Sequence, residues 1–231
     1  MGKRIIQQRR GRGTTTYKVK KSAFKHKSQI PRILGDEMNV LKLLSSGGHS
    51  TPLAKVQSGT EIFYIPAFKN MYEGETIKLG KEIKNGNIMK LNEIPVKTKI
   101  YCIESRPFDG GKFIKSGGSF AVLNKVVGES IFVMMPSKKE KKFNGTCRAI
   151  IGVCAGEGKF EKPLLKAGKQ FYIKKSKNKL WPRTSAIKMN AIDHPFGSGR
   201  GKNPKSKIAK RNAPPGAKVG LIRPKRTGKK R

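Results

Sequence analysis

Acidic side chains are scarce in this chain. Its 231 residues hold 14 aspartates and glutamates against 52 lysines and arginines, a formal net charge of +38. Such an imbalance speaks to partners rather than to fold: the chain repels itself, and a polyanion is its natural companion. Aromatic residues make up only 7%, so stacking on bases is not the main source of affinity. Long hydrophobic runs are missing. Stretches such as 131–135 fall far short of the roughly 20 apolar residues of a membrane-spanning helix. The basic start is followed only by Ile5 and Ile6, which make no signal-peptide core. The three cysteines, Cys102, Cys147 and Cys154, are odd in number and lack C-x-x-C spacing. A zinc site needs more ligands at closer spacing. They read as small buried or half-buried thiols in a reducing compartment. What remains, 35% apolar residues and 26 glycines, suffices for one or two small cores and excludes a wholly disordered chain.

The positive charge is concentrated at the ends. Residues 1–34 carry 11 basic and no acidic side chains, and residues 183–231 carry 15 basic side chains and one acid, Asp193. These ends hold 25 of the 38 net charges on 83 residues. Their apolar residues are isolated and their charges repel, so neither offsets its own ordering entropy, and both are expected to be irregular arms. Between them, short apolar stretches at 39–44, 52–56, 61–65, 76–79, 99–104, 119–127, 130–135, 142–143 and 148–153 alternate with Gly, Asn, Ser and Pro clusters. That spacing predicts an all-β body of small sandwiches or barrels. No stretch sustains a 3.6-residue period, so helix should be minor. Pauses at 84–87 and 92–95 place a module boundary near residue 90. The division is a basic arm over 1–34, modules over 35–90 and 91–182, and a second basic arm over 183–231.

Four clusters are candidates for chemistry. Arg4, Arg9, Arg10 and Arg12 are interleaved with Gln and Gly. The guanidinium fork fits phosphate oxygens, and glycine lets the chain lie close to a nucleic-acid backbone. The bland alternative is a solubilising tail. The stretch 147–158, CRAIIGVCAGEG, is a buried strand running into a glycine-rich loop. Such a loop can cradle anionic oxygens or be an ordinary turn, and it lacks P-loop spacing. Trp181, the only tryptophan, precedes Pro182 and Arg183 and reads as a core plug or as a stacking platform. Asp193 beside His194 suggests acid–base work, but no nucleophile or metal-ligand set accompanies them.

The segments GKRIIQQRRGRG at 2–13, STPLAKV at 50–56, RPFDGGKF at 106–113, CRAIIGVCAGEG at 147–158, EKPLLKAGK at 161–169, WPR at 181–183, MNAIDHPFG at 189–197 and RNAPPGAKVG at 211–220 occur in order along nearly the whole chain. In them the chain resembles the universal large-subunit ribosomal protein family numbered second in the bacterial scheme, in its archaeal and eukaryotic form. The resemblance implies an OB-like barrel followed by an SH3-like barrel, with basic extensions. It implies large-subunit rRNA, neighbouring ribosomal proteins, the small subunit at the interface and nearby tRNA as partners, in a cytoplasmic ribosome. It implies roles in assembly, subunit association and the architecture around the peptidyl transferase centre. No homo-oligomer, membrane or catalytic residue is expected, and no cofactor beyond RNA-associated Mg2+ or K+. Added to the reading of the residues, it gives an expected RNA-contact set of Arg4, Arg9, Arg10, Arg12, Arg148, Trp181, Arg183, Asn190, Asp193, His194, Gly197, Arg200, Arg211 and Lys218. The chain departs from the family pattern at Ser198, where glycine is usual, and at 200–203, which lacks the histidines many relatives carry. The stretch 62–68 is also unusually aromatic.

Two other functional classes fit the composition. One is a non-ribosomal packaging or RNA-chaperone protein, which does not require two β bodies with this glycine and proline pattern. The other is an enzyme acting on nucleic acid through Asp193 and His194, which lacks a carboxylate cluster for metals.

Overall fold

The computed structural model describes residues 3–80 and 82–198. The chain divides into two units, Met1–Val19 with Asn178–Arg231, and Lys20–Lys177. The second is the β body. Its first sheet holds β1 (Glu37–Leu44), β2 (Leu53–Ser58), β3 (Glu61–Pro66) and β4 (Thr76–Lys78), in the order β3-β2-β1-β4. Its second sheet holds β5 (Ile88–Lys90), β6 (Lys99–Tyr101), β7 (Ala121–Val127), β8 (Ser130–Met134), β9 (Glu140–Asn144) and β10 (Arg148–Ile151), in the order β5-β10-β6-β7-β8-β9. Every pairing between these strands is antiparallel. The all-β expectation is borne out.

The sequence pattern explains the sheets. β2 to β3 is a hairpin turning at Gly59, whose φ of 58° favours glycine. β7 to β8 turns the same way at Gly128. β1 and β7 each carry a register shift, at Val40/Lys42 and Leu123/Lys125, where one extra residue bends the strand.

Strands β6 and β10 read as continuous apolar runs because both of their faces are covered. Successive strand residues point to opposite faces. Tyr101 and Ile150 enter one hydrophobic cluster with Met38, Val56, Ile65 and Phe68. Ile100, Ala149 and Ile151 enter a second with Leu123, Ile131 and Phe143. The middle of the second sheet is thus a wall shared by two cores. Tyr101 pins it, its hydroxyl donating to the Pro66 carbonyl at 3.1 Å.

The aromatic stretch 62–68 has a role in this packing. Phe63 and Phe68 are buried, while Tyr64 stacks on His26 with ring centroids 4.5 Å apart. The Tyr64 carbonyl accepts the Gln29 N–H at 2.9 Å. Residues 20–34 therefore pack on the body rather than forming an irregular arm: Ala23 and Ile30 are buried, and Lys115 Nζ donates to the Ser28 carbonyl at 2.7 Å.

Burial pushes the Cys102 thiol up to about 11 and the Cys154 thiol to about 12. Both are neutral thiols near pH 7, and thiolate is the form that acts as ligand or nucleophile.

Two helices exceed single-turn length among the described residues: α1 (Ile6–Gly11) and α2 (Ala167–Ser176). In α2, the consecutive residues Phe171, Tyr172 and Ile173 are all exposed. About 100° separates neighbours on a helix, so this triplet cannot form one apolar stripe and gives no helical periodicity. No helix among the described residues is long and apolar enough to cross a membrane.

Candidate nucleic-acid interface

The N-terminal arginines sit on and beside α1. This short helix has no acid in its first turn and carries Arg9 and Arg10 in its last, where cations complement the negative end of the helix dipole. Arg4, Arg9 and Arg12 are exposed and help line two clefts. One, of about 390 Å³, is lined by Lys3, Arg4, Arg9, Arg12, Thr14 and Tyr17. Another, of about 550 Å³, is lined by Arg4, Gln8, Gly11 and Arg12. Arg10 is half-buried and lines neither.

A third cavity in the same unit, of about 600 Å³, brings together residues distant in sequence. Lys3, Arg4, Arg9, Arg183, Asp193 and His194 line it together with the apolar residues Ile6, Leu180 and Met189. Its one acid is already matched, since Lys3 Nζ lies 3.3 Å from Asp193 Oδ1. The backbone is tied here too, with the Lys3 N–H donating to the Ile192 carbonyl at 2.7 Å. The site is a cationic concavity with fixed backbone, suited to an anionic polymer.

The loop 189–198 is built from backbone hydrogen bonds. The Asn190 carbonyl accepts the N–H groups of Asp193 and His194 at 3.0 and 3.2 Å, and the Ser198 N–H reaches the Met189 carbonyl at 3.1 Å. His194 is 7% exposed. Its Nδ1 accepts the Phe196 N–H at 3.1 Å, and its ring packs on Phe196. Asp193 pairs with Lys3 and makes no hydrogen bond to His194, so the two do not form an acid–base dyad. Gly197 is buried, and a Cβ there would run into the carbonyl oxygens of Met189 and Asn190. Gly197→Ala should therefore open the loop at a cost of about 1–3 kcal/mol. Ser198, with φ of 63°, occupies the left-handed region that glycine tolerates best, so Ser198→Gly should tighten the same loop by up to about 1 kcal/mol. Amide exchange at residue 198 in the RNA-bound protein reads both changes, faster in the first variant and slower in the second.

Arg148 has a different place. It lies in the β body, 8% exposed, and its Nε and Nη2 donate to Glu104 Oε1 at 3.1 and 2.8 Å. Its Nη1 reaches the Arg32 carbonyl at 3.3 Å, and its guanidinium lies over the Phe108 ring. A side chain so enclosed has little to offer a phosphate, so the expected RNA contact is corrected to an internal brace. Glu104, which the sequence pattern does not single out, is fully buried. It also accepts the backbone N–H groups of Phe108, Gly110 and Arg148. The signal available for it is an acid at the end of an apolar run, in a chain with few acids. The glycine-rich loop after β10 is tied into the body: the Gly152, Cys154 and Ala155 N–H groups donate to the carbonyls of Lys99, Ser119 and Ala67, and a Cβ on Gly117 would press on the carbonyls of Ser50 and Gly156.

Trp181 is half-buried, and Arg183 and Asn190 are exposed. Arg200, Arg211 and Lys218 lie outside the described residues. No three His, Cys, Asp or Glu side chains gather as a metal-ligand set among the described residues.

A family model described as ribosomal proteins L2, C-terminal domain, matches residues 84–216. The chain is 42% identical to the large ribosomal subunit protein uL2 of Archaeoglobus fulgidus, over all of both chains. It is 40% identical to that of Korarchaeum cryptofilum, over 99% of this chain and 96% of the relative. It is 39% identical to that of Hyperthermus butylicus, over all of both.

Proposed function

The chain belongs to the L2 family of ribosomal proteins, and from that premise we propose that it is a structural constituent of the large ribosomal subunit that binds the subunit's RNA. The observation that carries the reading is full-length similarity to uL2 proteins, joined to a cationic concavity whose only acid is paired within the protein. The β body docks on the RNA surface, and the basic termini neutralise crowded phosphates between RNA helices. Each phosphate so neutralised releases condensed counterions, which makes binding steeply salt-dependent. Backbone and shape recognition outweigh base reading. Neighbouring ribosomal proteins complete the surroundings. Support of assembly, subunit association, tRNA placement and the architecture around the peptidyl transferase centre belongs to the same reading, as do the OB-like module over 35–90 and the SH3-like module over 91–182. Magnesium or potassium ions accompany the RNA phosphates rather than a protein ligand set. The protein is not an enzyme.

His194 is the residue on which the structural and catalytic readings differ. Proton transfer by a positioned side chain contributes about 10²–10⁴-fold to rate. Its Nδ1 already accepts the Phe196 N–H, which a catalytic shuttle through that atom would have to give up. His194→Gln retains an amide donor and cannot titrate near neutral pH. Large subunits assembled with it should keep most of their single-turnover peptide-bond rate with an unchanged pH profile. A loss of about 10²-fold with an altered profile would restore the catalytic reading.

A further inference from the structure

We propose that the cavity lined by Lys3, Arg4, Arg9, Arg183, Met189 and His194 receives a single unpaired nucleotide of the RNA, with its base against the apolar residues and its phosphates on the cations. This rests on the RNA-binding reading above and deepens it. Three features of the cavity point to a nucleotide rather than to phosphate backbone alone.

The first is its mixed chemistry. Its lining combines apolar residues, Ile6, Leu180, Pro182, Ala186 and Met189, with the cations Lys3, Arg4, Arg9 and Arg183. Phosphate backbone needs only the second. A nucleotide has an apolar face on its base and an anion on its sugar, and it needs both. The second is size. At about 600 Å³ the cavity lies within the range of roughly 300–1,000 Å³ that holds small organic ligands. A phosphate-only contact needs no such volume.

The third is a fixed hydrogen-bond donor. The Phe196 N–H donates to His194 Nδ1 at 3.1 Å, so Nδ1 is the ring's acceptor and Nε2 is the nitrogen left to donate. Among the described residues, Ser28 Oγ is the one sealed side-chain polar atom without a partner, so Nε2 is not shut away as an orphan. The backbone of 189–198 thus orients His194 with Nε2 as its available donor, matched to an acceptor such as a base carbonyl or ring nitrogen. Asp193, neutralised by Lys3 3.3 Å away, keeps the lining's net charge positive. Four cations against one paired acid also favour RNA over an acidic peptide, whose carboxylates would leave the apolar residues uncovered.

The test uses assembled large subunits, with the RNA probed base by base with dimethyl sulfate and at its 2′-hydroxyls by acylation. Ala186→Trp fills the cavity. His194→Asn removes the Nε2 donor, while His194→Gln replaces it with an amide donor at the same reach. In unmodified subunits one unpaired nucleotide should be protected. In Ala186→Trp and His194→Asn subunits that nucleotide alone should gain about five-fold or more in reactivity, as expected for loss of one packed base. His194→Gln should stay close to unmodified. If Ala186→Trp is excluded from subunits, the Asn and Gln pair decides alone: identical reactivity patterns in those two overturn the proposal. So does a change spread along a continuous stretch of backbone, which would mark a phosphate track. Full incorporation of all variants with unaltered RNA reactivity overturns the nucleotide proposal and leaves the ribosomal reading intact. Absence of the unmodified chain from large subunits overturns the ribosomal reading itself.

Discussion

Glu104→Ala is expected to lower the unfolding free energy by about 3–5 kcal/mol, the cost of removing one partner of a buried ion pair. Arg148 would be left with its charge sealed in the body, since its side chain is 9% exposed and that of Glu104 is not exposed at all. The N–H groups of Phe108, Gly110 and Arg148 would lose their acceptor together. These ties join the loop 104–110 to β10, and the Arg148 Nη1 bond joins both to residue 32. Glu104→Gln, which keeps the shape and an acceptor oxygen, should cost less. A double variant, Glu104→Leu with Arg148→Met, should recover only the part of the loss that comes from the stranded Arg148 charge, because leucine leaves the three backbone N–H groups without an acceptor. Urea denaturation of the RNA-free protein measures all three. A loss below about 1 kcal/mol for Glu104→Ala, the range of exposed pairs, would contradict the brace.

The second large effect concerns RNA. Replacing Arg4, Arg9 and Arg12 together with alanine should flatten the salt dependence of RNA binding. The log–log slope should shrink by up to about 0.9 for each phosphate no longer neutralised, about 2.7 in all on the duplex scale. Arg10 is half-buried and lines none of the cationic clefts. Arg10→Ala should therefore change the slope by less than any one of the three. Titrations of the full chain against large-subunit RNA at a series of salt concentrations give both numbers. An unchanged slope for the triple variant, or a larger effect from Arg10→Ala, would place the phosphates elsewhere.

Much of the β body is legible in the sequence because apolar alternation and glycine turns are local signals. β2, β3, β7 and β8 lie within a residue or two of their expected spans. β5 escapes that reading because Ile88–Lys90 follows Gly86 and Asn87 and looks like part of a turn. It becomes a strand only by pairing with β10, whose Ile150 lies opposite Ile88. α2 escapes it because its apolar residues are consecutive. The arms' charge is legible from composition, but the packing of residues 20–34 depends on Tyr64 and Lys115, which are distant in sequence. Arg148 illustrates the limit of residue type as a guide. In a chain of 52 cations nothing local separates an arginine that faces RNA from one that neutralises a glutamate 44 positions away. The cavity around His194 likewise depends on residues 3–9 meeting residues 180–194, which spacing does not encode.

The most direct test of the central claim is to isolate large ribosomal subunits from cells that make this chain, wash them in high salt and quantify the chain against the large-subunit RNA. High salt strips proteins held only by loose counterion exchange, whereas a constituent whose extensions are embedded in folded RNA stays. A structural constituent is predicted to remain stoichiometric with the RNA. Release into the wash, or recovery mainly with DNA or with particles other than the large subunit, would contradict that role.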